Sequence, residues 1–205
     1  MLFQETYSIT KLPDYQVRSM SGSHEIEIKF RVEDIPTLIA RLEAAGFRQV
    51  TPRTHEMNTL YDLPGSPLRR RGALLRIRQY GPNWTVTYKD KSAIQPGRHK
   101  SRREIETPVE NGQALADILS SCGFEPGFAY EKFRSQWSDG AGKVVIDETP
   151  IGNFAEIEGS PEWIDSVAAR LGVSRRHYIT ASYAELFLLW KKKSGSEVTQ
   201  MLFAM

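Results

Sequence analysis

Carboxylates and cations alternate with hydrocarbon through much of this sequence at a spacing of two. In "HEIEIKFRV", Glu25, Glu27, Lys29 and Arg31 are interleaved with Ile26, Ile28, Phe30 and Val32. The same parity gathers Arg76 and Arg78, Lys89 and Lys91, Arg102, Glu104 and Glu106, Lys132 and Arg134, and then Asp147, Glu156 and Glu158. Alternate residues of a strand share a face, so each run collects its ionisable groups on one side and its apolar groups on the other. The acids have no His or Cys at ligand spacing and suit hard, oxygen-ligated ions such as Mg²⁺ or Mn²⁺. The Arg and Lys side chains offer charge-assisted donors that match phosphate oxygens. Together the two sets describe a clamp for a polyanion chelated to a divalent metal.

Eight runs with this period must position those groups: "HEIEIKFRV", "MNTLYDL", "ALLRIRQY", "WTVTYKDK", "SRREIETPV", "YEKFRSQWS", "KVVIDETP" and "NFAEIEG". Turn chemistry at "GPN" (81–83) and "DGAG" (139–142) predicts tight antiparallel hairpins. Helical spacing appears in "VEDIPTLIARLEAAGF", "NGQALADILSSCGF", "PEWIDSVAARLG" and "YITASYAELFLLWKK", with Asp34, Asn111 and Ser160 as N-caps and Gly46, Gly123 and Gly172 as stops. Four amphipathic helices need an apolar surface, and the strands' apolar face supplies one. An α+β fold follows: an eight-stranded antiparallel barrel, closed to remove its edges, with helices packed outside and the charged face lining a tunnel. Loss of Lys89 or Arg134 from so crowded a lining is expected to relieve repulsion and leave the fold intact.

With 205 residues, 40% hydrophobic and 25% charged, the chain reads as one globular domain. Residues 23–192 form it, residues 1–22 read as a leader or an upstream start before Met20, and residues 193–205 as a tail. A net charge of +2 gives no case for wholesale nucleic-acid binding, and the basic residues lack interleaved aromatics for stacking on bases. No run approaches the length of a membrane span, and one cysteine excludes an intrachain disulfide framework, which points to a reducing cytoplasm. Cys122 lies on an apolar helix face and reads as core. His24, His55, His99 and His177 show no ligand spacing, and "RRRG" at 69–72 reads as a solvated loop. The segment "SAIQPGRHKS" (92–101) carries Pro, Gly and cations with little apolar content, as a mobile flap at a tunnel mouth would. No Gly-rich phosphate loop or nucleophile triad is present.

"EIEIK" at 25–29 resembles the ExExK signature of the CYTH family, the triphosphate tunnel metalloenzymes. It is followed in the family's order by "LLRIR", "TVTYKDK", "SRREIE", "YEKFRSQW", "VVIDETPIGNFAEIEG" and "YITASYAEL". The resemblance covers about residues 24–190 and implies an eight-stranded tunnel acting on a small-molecule triphosphate: inorganic triphosphate, thiamine triphosphate or ATP. It implies phosphate binding by Arg76, Arg78, Lys89, Lys132 and Arg134, with Lys91 and Arg102 in the same lining. Metal binding falls to Glu25, Glu27, Asp147, Glu156 and Glu158, helped by Glu104 and Glu106, and Lys29, Glu27 and Glu158 stand closest to the reaction. The preferred expectation is metal-dependent triphosphate hydrolysis. The alternatives are a class IV adenylate cyclase, making cyclic AMP and pyrophosphate, and a non-catalytic polyphosphate-binding module. RNA 5′-triphosphatase activity and a homodimer stay open.

Overall fold

The computed structural model describes residues 23–91 and 99–204. Eight strands run in the order β1 (Ser23–Val32), β2 (Arg48–Asp62), β3 (Leu74–Tyr80), β4 (Asn83–Lys91), β5 (Lys100–Val109), β6 (Glu125–Ser138), β7 (Lys143–Thr149) and β8 (Gly152–Glu158). They close into an antiparallel barrel with the neighbour order β1-β5-β4-β3-β2-β6-β7-β8. Each strand contains one of the eight runs read from the sequence. Both predicted hairpins form: Tyr80 pairs with Asn83, and Ser138 with Lys143. Gly81 and Gly140 take positive φ there, at 56° and 91°, where a side chain would be strained. The long β2 and β6 extend beyond their alternating runs because their pairing shifts register at Gln49/Thr51, Thr51/Thr54 and Thr59/Tyr61, which hides the period from the sequence.

The helices are α1 (Ile35–Ala44), α2 (Pro67–Arg70), α3 (Gly112–Ser121), α4 (Pro161–Arg170) and α5 (Tyr183–Ser194). Asp34, Asn111 and Ser160 cap α1, α3 and α4 through their side chains, as expected. Gly46, Gly123 and Gly172 follow those helices with φ between 76° and 85°. α2 overlaps the segment 69–72, read as a solvated loop, at Arg69 and Arg70. Its first-turn N–H groups are held by Asp62, whose carboxylate accepts from Leu68 and Arg69.

The apolar face points outward, as the parity requires. Ile28, Phe30, Val144, Ile146, Ala155 and Ile157 pack against Leu38 and Leu42 of α1 and Ile164, Val167 and Ala168 of α4, and Ile26 borders the same cluster. The core therefore lies between barrel and helices rather than inside the barrel. α3 docks lightly: Ile118 is exposed, and Cys122, expected in the core, is exposed as well. It caps the end of α3, past the last turn that touches the strands. Among the described residues no helix is long and apolar enough to cross a membrane.

α5 starts five residues later than its periodicity predicts. A capping box at Ser182 and Glu185 fixes its first turn. Before it, Ile179 pairs with Lys29 of β1 through both backbone bonds, at 3.1 and 2.7 Å. Tyr183, Leu186 and Phe187 of α5 then pack on Tyr130, Phe154 and Leu60, which occupy tunnel-facing positions of β6, β8 and β2. α5 thus closes the tunnel at that level with an apolar floor. Of the segment 193–205, set apart by the sequence as a tail, residues 193 and 194 end α5 and residues 200–203 run along β6: Met201 is buried, and its N–H and C=O bond to Ala129 and Glu131.

Candidate active site

Above that floor five strands converge on one chamber. Lys29 of β1 donates to Glu156 Oε1 of β8 at 2.5 Å. Arg134 of β6 grips Asp147 of β7 with Nε and Nη2, at 2.7 and 2.6 Å, and reaches Glu156 Oε2 at 2.7 Å. Lys132, almost wholly buried, lies 3.0 Å from Asp147 and 3.4 Å from Glu56 of β2. Tyr183 enters from α5, donating its hydroxyl to Asp147 at 2.6 Å, while its ring receives the Lys29 and Lys132 ammonium groups at 4.5 and 4.7 Å. Beside this chamber Arg78 of β3 bonds Glu106 of β5 at 2.8 Å, Thr87 of β4 donates to the same carboxylate at 2.6 Å, and Arg76 donates to Thr87 at 3.1 Å.

Burial acts against the charges of Lys29, Glu56, Arg134 and Glu156, and their neighbours overturn it. Burial alone would raise the Glu156 and Glu56 carboxyls; Lys29 and Arg134 hold the first, and Lys132 and Arg134 the second, below the ordinary range. Burial would likewise lower the Arg134 and Lys29 pKa values, but Asp147 and Glu156 raise the first and Glu156 the second. The Tyr183 phenol is pushed well up by burial and by Asp147 and Glu156, so it stays a donor. Chamber and flank together carry five Lys and Arg side chains (Lys29, Arg76, Arg78, Lys132, Arg134) and four acidic ones (Glu56, Glu106, Asp147, Glu156). The Arg76 Nε–H, buried, has no acceptor among the described residues.

A second cluster lies along β1, β4 and β5. The Lys89 ammonium bonds Glu25 and sits 3.2 Å from Glu104, and Lys100 bonds Glu27 at 2.7 Å. Burial first, and then Glu27 and Glu104, raise the Glu25 pKa against the pull of Lys89, and three acids share this cluster with two lysines. Glu27 itself, pushed up by burial but pulled down further by Lys100, falls to about 2. Oxygen donors alone and surplus negative charge fit a hard divalent cation. In this structure lysine ammonium groups stand among these acids, and among the described residues no three acids converge as a ready metal cluster.

The sixteen residues of the common parity therefore divide. The structure brings Lys29, Arg76, Arg78, Lys132, Arg134, Glu106, Asp147 and Glu156 together, and Glu25, Glu27, Glu104 and Lys89 beside them. Glu158 pairs in register with Glu27 but turns to Lys143 at 3.1 Å in a more exposed position. Arg102 sits across from Glu25 and Lys91 in the ladders, and Arg31 is exposed over the Phe154 ring. The flap expected at 92–101 falls mainly outside the described residues. The sequence reading missed Glu56, Asn58, Thr87 and Tyr183. The first two share the tunnel parity of β2, but the strand was read from Met57 onward, which excluded Glu56. Asn58 and Thr87 carry no charge to draw notice, and Tyr183 arrives from a helix.

The CYTH domain model matches residues 23–180. A provisionally named adenylate cyclase of Methanocaldococcus jannaschii is 26% identical over 173 residues, covering 79% of this chain and 97% of that protein. Adenylate cyclase CyaB of Aeromonas hydrophila is 27% identical over 176 residues, covering 80% and 89%. A solved structure from Vibrio parahaemolyticus, also provisionally named an adenylate cyclase, superposes with a TM-score of 0.73 at 20% identity, covering 82% of this chain and 99% of that one, and so shares the fold.

Proposed function

This chain belongs to the CYTH domain family, and on that premise we propose that its tunnel hydrolyses a small triphosphate with the help of a divalent cation. The observation that carries the reading is the chamber and its flank with five cations, in which Arg76 Nε–H points at no acceptor among the described residues. A buried guanidinium donor left without a partner loses a full hydrogen bond, and a phosphate oxygen restores it. Arg76, Arg78, Arg134, Lys132 and Lys29 then share the phosphoryl oxygens and oppose the charge that builds on them as the terminal bond breaks. The acids already in the chamber keep these cations oriented before substrate enters. α5 closes the tunnel below, so the chain's own geometry favours a substrate entering end-on, with its terminal phosphoryl group deepest.

Glu25, Glu27 and Glu104, with Glu158 close by, would hold the divalent cation, which when bound supplies the positive charge that lets a polyanion lie beside carboxylates. Lys89 and Lys100, which neutralise these acids in this structure, would turn to the substrate instead.

A second reading is favoured by the name of the Aeromonas relative: conversion of ATP to cyclic AMP and pyrophosphate in the same clamp. A fold of this kind does not choose between the two. Incubation of the protein with tripolyphosphate and, separately, ATP, in Mg²⁺ and in Mn²⁺, with the products separated by ion exchange, decides. Orthophosphate from tripolyphosphate supports hydrolysis. Mainly cyclic AMP and pyrophosphate from ATP, with no orthophosphate from tripolyphosphate, replaces it with the cyclase.

A further inference from the structure

Two buried oxygens in the chamber lack a hydrogen-bond donor among the described residues: Glu56 Oε2 and Asn58 Oδ1. Both residues are wholly buried, two apart on β2, and therefore on the same tunnel face. Asn58 Nδ2 donates to Glu56 Oε1 at 2.9 Å, which fixes the amide so that its carbonyl oxygen is the end left unpaired. Glu56 Oε2 is not at hydrogen-bond distance from any cation; Arg134 Nε, the nearest ion-pair partner, is 3.7 Å away. Across the ladders Asn58 faces Arg78 and Tyr130, and Glu56 faces Lys132, so the two acceptors stand among the cations assigned to phosphate. A buried acceptor without a donor forfeits its hydrogen bond, and two on hydrogen-bonded neighbours of one strand face call for a ligand that donates twice. A metal ion is a poor answer, because Lys132, Arg134, Arg78 and Arg76 all act electrostatically on Glu56. A water molecule donates two hydrogens and turns a lone pair outward.

We propose that Glu56 and Asn58 hold the attacking water for triphosphate hydrolysis, accepting one hydrogen each and aiming its lone pair at the terminal phosphorus. The inference rests on the hydrolase reading and assigns the nucleophile's site within it. As the new O–P bond forms, the bond from that phosphorus to the bridging oxygen breaks and its electron pair leaves with pyrophosphate. The water's proton passes to Glu56 Oε2 and then to the departing orthophosphate. A loose phosphoryl-transfer transition state asks for orientation of the water more than for a strong base, which suits a carboxylate surrounded by cations.

Asn58→Ala and Glu56→Gln test this by orthophosphate release from tripolyphosphate, alongside tripolyphosphate binding by calorimetry in the absence of divalent metal and thermal unfolding. Loss of a positioning contact costs on the order of a hundredfold. The expected result is a kcat lower by about that factor in Asn58→Ala, with KM and the calorimetric Kd within about threefold of the parent. Asn58→Ser returns a hydroxyl oxygen to the position and recovers part of the rate, which also serves if Asn58→Ala folds poorly. A rise in KM and Kd with unchanged kcat makes Asn58 a phosphate-side contact and overturns the proposal, as does an unchanged kcat in both variants. A parent protein that releases no orthophosphate at all overturns the hydrolase reading and this inference with it, and that result is read before any variant is made.

Discussion

Replacing Arg134 with alanine removes more than a phosphate ligand. Its guanidinium makes three bonds of 2.6–2.7 Å, two to Asp147 and one to Glu156, and lies 3.7 Å from Glu56. All three acids are buried, and although Lys29 still bonds Glu156 Oε1 and Lys132 still bonds Asp147 Oδ2, Glu156 Oε2 and Asp147 Oδ1 lose the donor that Arg134 supplied. Breaking a buried pair by deleting one partner costs about 3–5 kcal/mol because the remaining charge is stranded. For a chain of this size that is roughly 6–20 °C of melting temperature. The expectation drawn from the sequence, that thinning a crowd of cations relieves repulsion, gives the opposite sign; pairing outweighs crowding here because nearly every lining cation touches a carboxylate. Differential scanning calorimetry of Arg134→Ala and Lys89→Ala at neutral pH separates the two. The structure predicts a large drop for Arg134→Ala and a smaller one for Lys89→Ala, whose acids are less deeply buried and keep Lys100 nearby. A melting temperature for Arg134→Ala within about 2 °C of the parent would refute the argument, since roughly 3 kcal/mol could not then be stored in these contacts.

Tyr183→Phe keeps the ring under both ammonium groups but leaves Asp147 short of its 2.6 Å donor, and should cost about 1–3 kcal/mol by denaturant unfolding. In the parent, spectrophotometric titration should leave this tyrosine un-ionised well above pH 10 until the protein unfolds. Glu27 has its pKa depressed from 4.5 to about 2, so its contribution is full above pH 4.5 and is lost as pH falls through 2. That is about 3 kcal/mol at pH 6 and about 1.5 kcal/mol at pH 3. The stability gap between parent and Glu27→Gln, by urea unfolding, should narrow accordingly, and a gap independent of pH contradicts the assignment. Glu156→Gln should slow orthophosphate release on the order of a hundredfold, because Lys29 and Arg134 lose the carboxylate that aims them, and a chelator should stop turnover in the parent.

What the sequence revealed was governed by where the physics is local. Strand parity is set residue by residue, so the charged face, the outward apolar face and the closed barrel were all legible from β1, β3, β7 and β8, whose alternation is unbroken. β2 defeats the same reading because its register shifts move the pairing across from β6. With the strand cut short at Met57, Glu56 fell outside it, and the chamber lost one of its two wholly buried acids. Tyr183 was illegible for a different reason. Its neighbours Lys29, Lys132 and Asp147 lie between 36 and 154 residues away and meet only because Ile179 pairs with β1 and swings α5 across the barrel. Cys122 shows the converse error: helical spacing marks a face as apolar, but α3 sits too loosely on the strands to bury it.

The barrel's inverted arrangement, hydrocarbon outside and charge inside, explains how such a lining is tolerated at all. Burying this many charges costs several kcal/mol each before pairing is counted, and inside the barrel only the apolar floor under α5 offsets it. The rest of the offset comes from the other side of the same strands, where Ile28, Phe30, Val144, Ile146 and Ile157 lie within a few per cent of full burial under α1 and α4. Each apolar side chain so covered contributes about 1.5–3 kcal/mol, so one face of β1, β7 and β8 carries the stability that the opposite face spends on chemistry. Because successive residues of one strand serve the two faces, backbone that is rigid for packing is rigid for the site, and Lys29 and Glu156 are held in place by the burial of Ile28 and Ile157 beside them. The two faces therefore respond differently to change. A swap that preserves charge pairing, such as Glu27→Asp, disturbs placement while sparing the outer core. Ile157→Ala, which touches no ionised group, should cost about 2–5 kcal/mol and slacken the whole chamber.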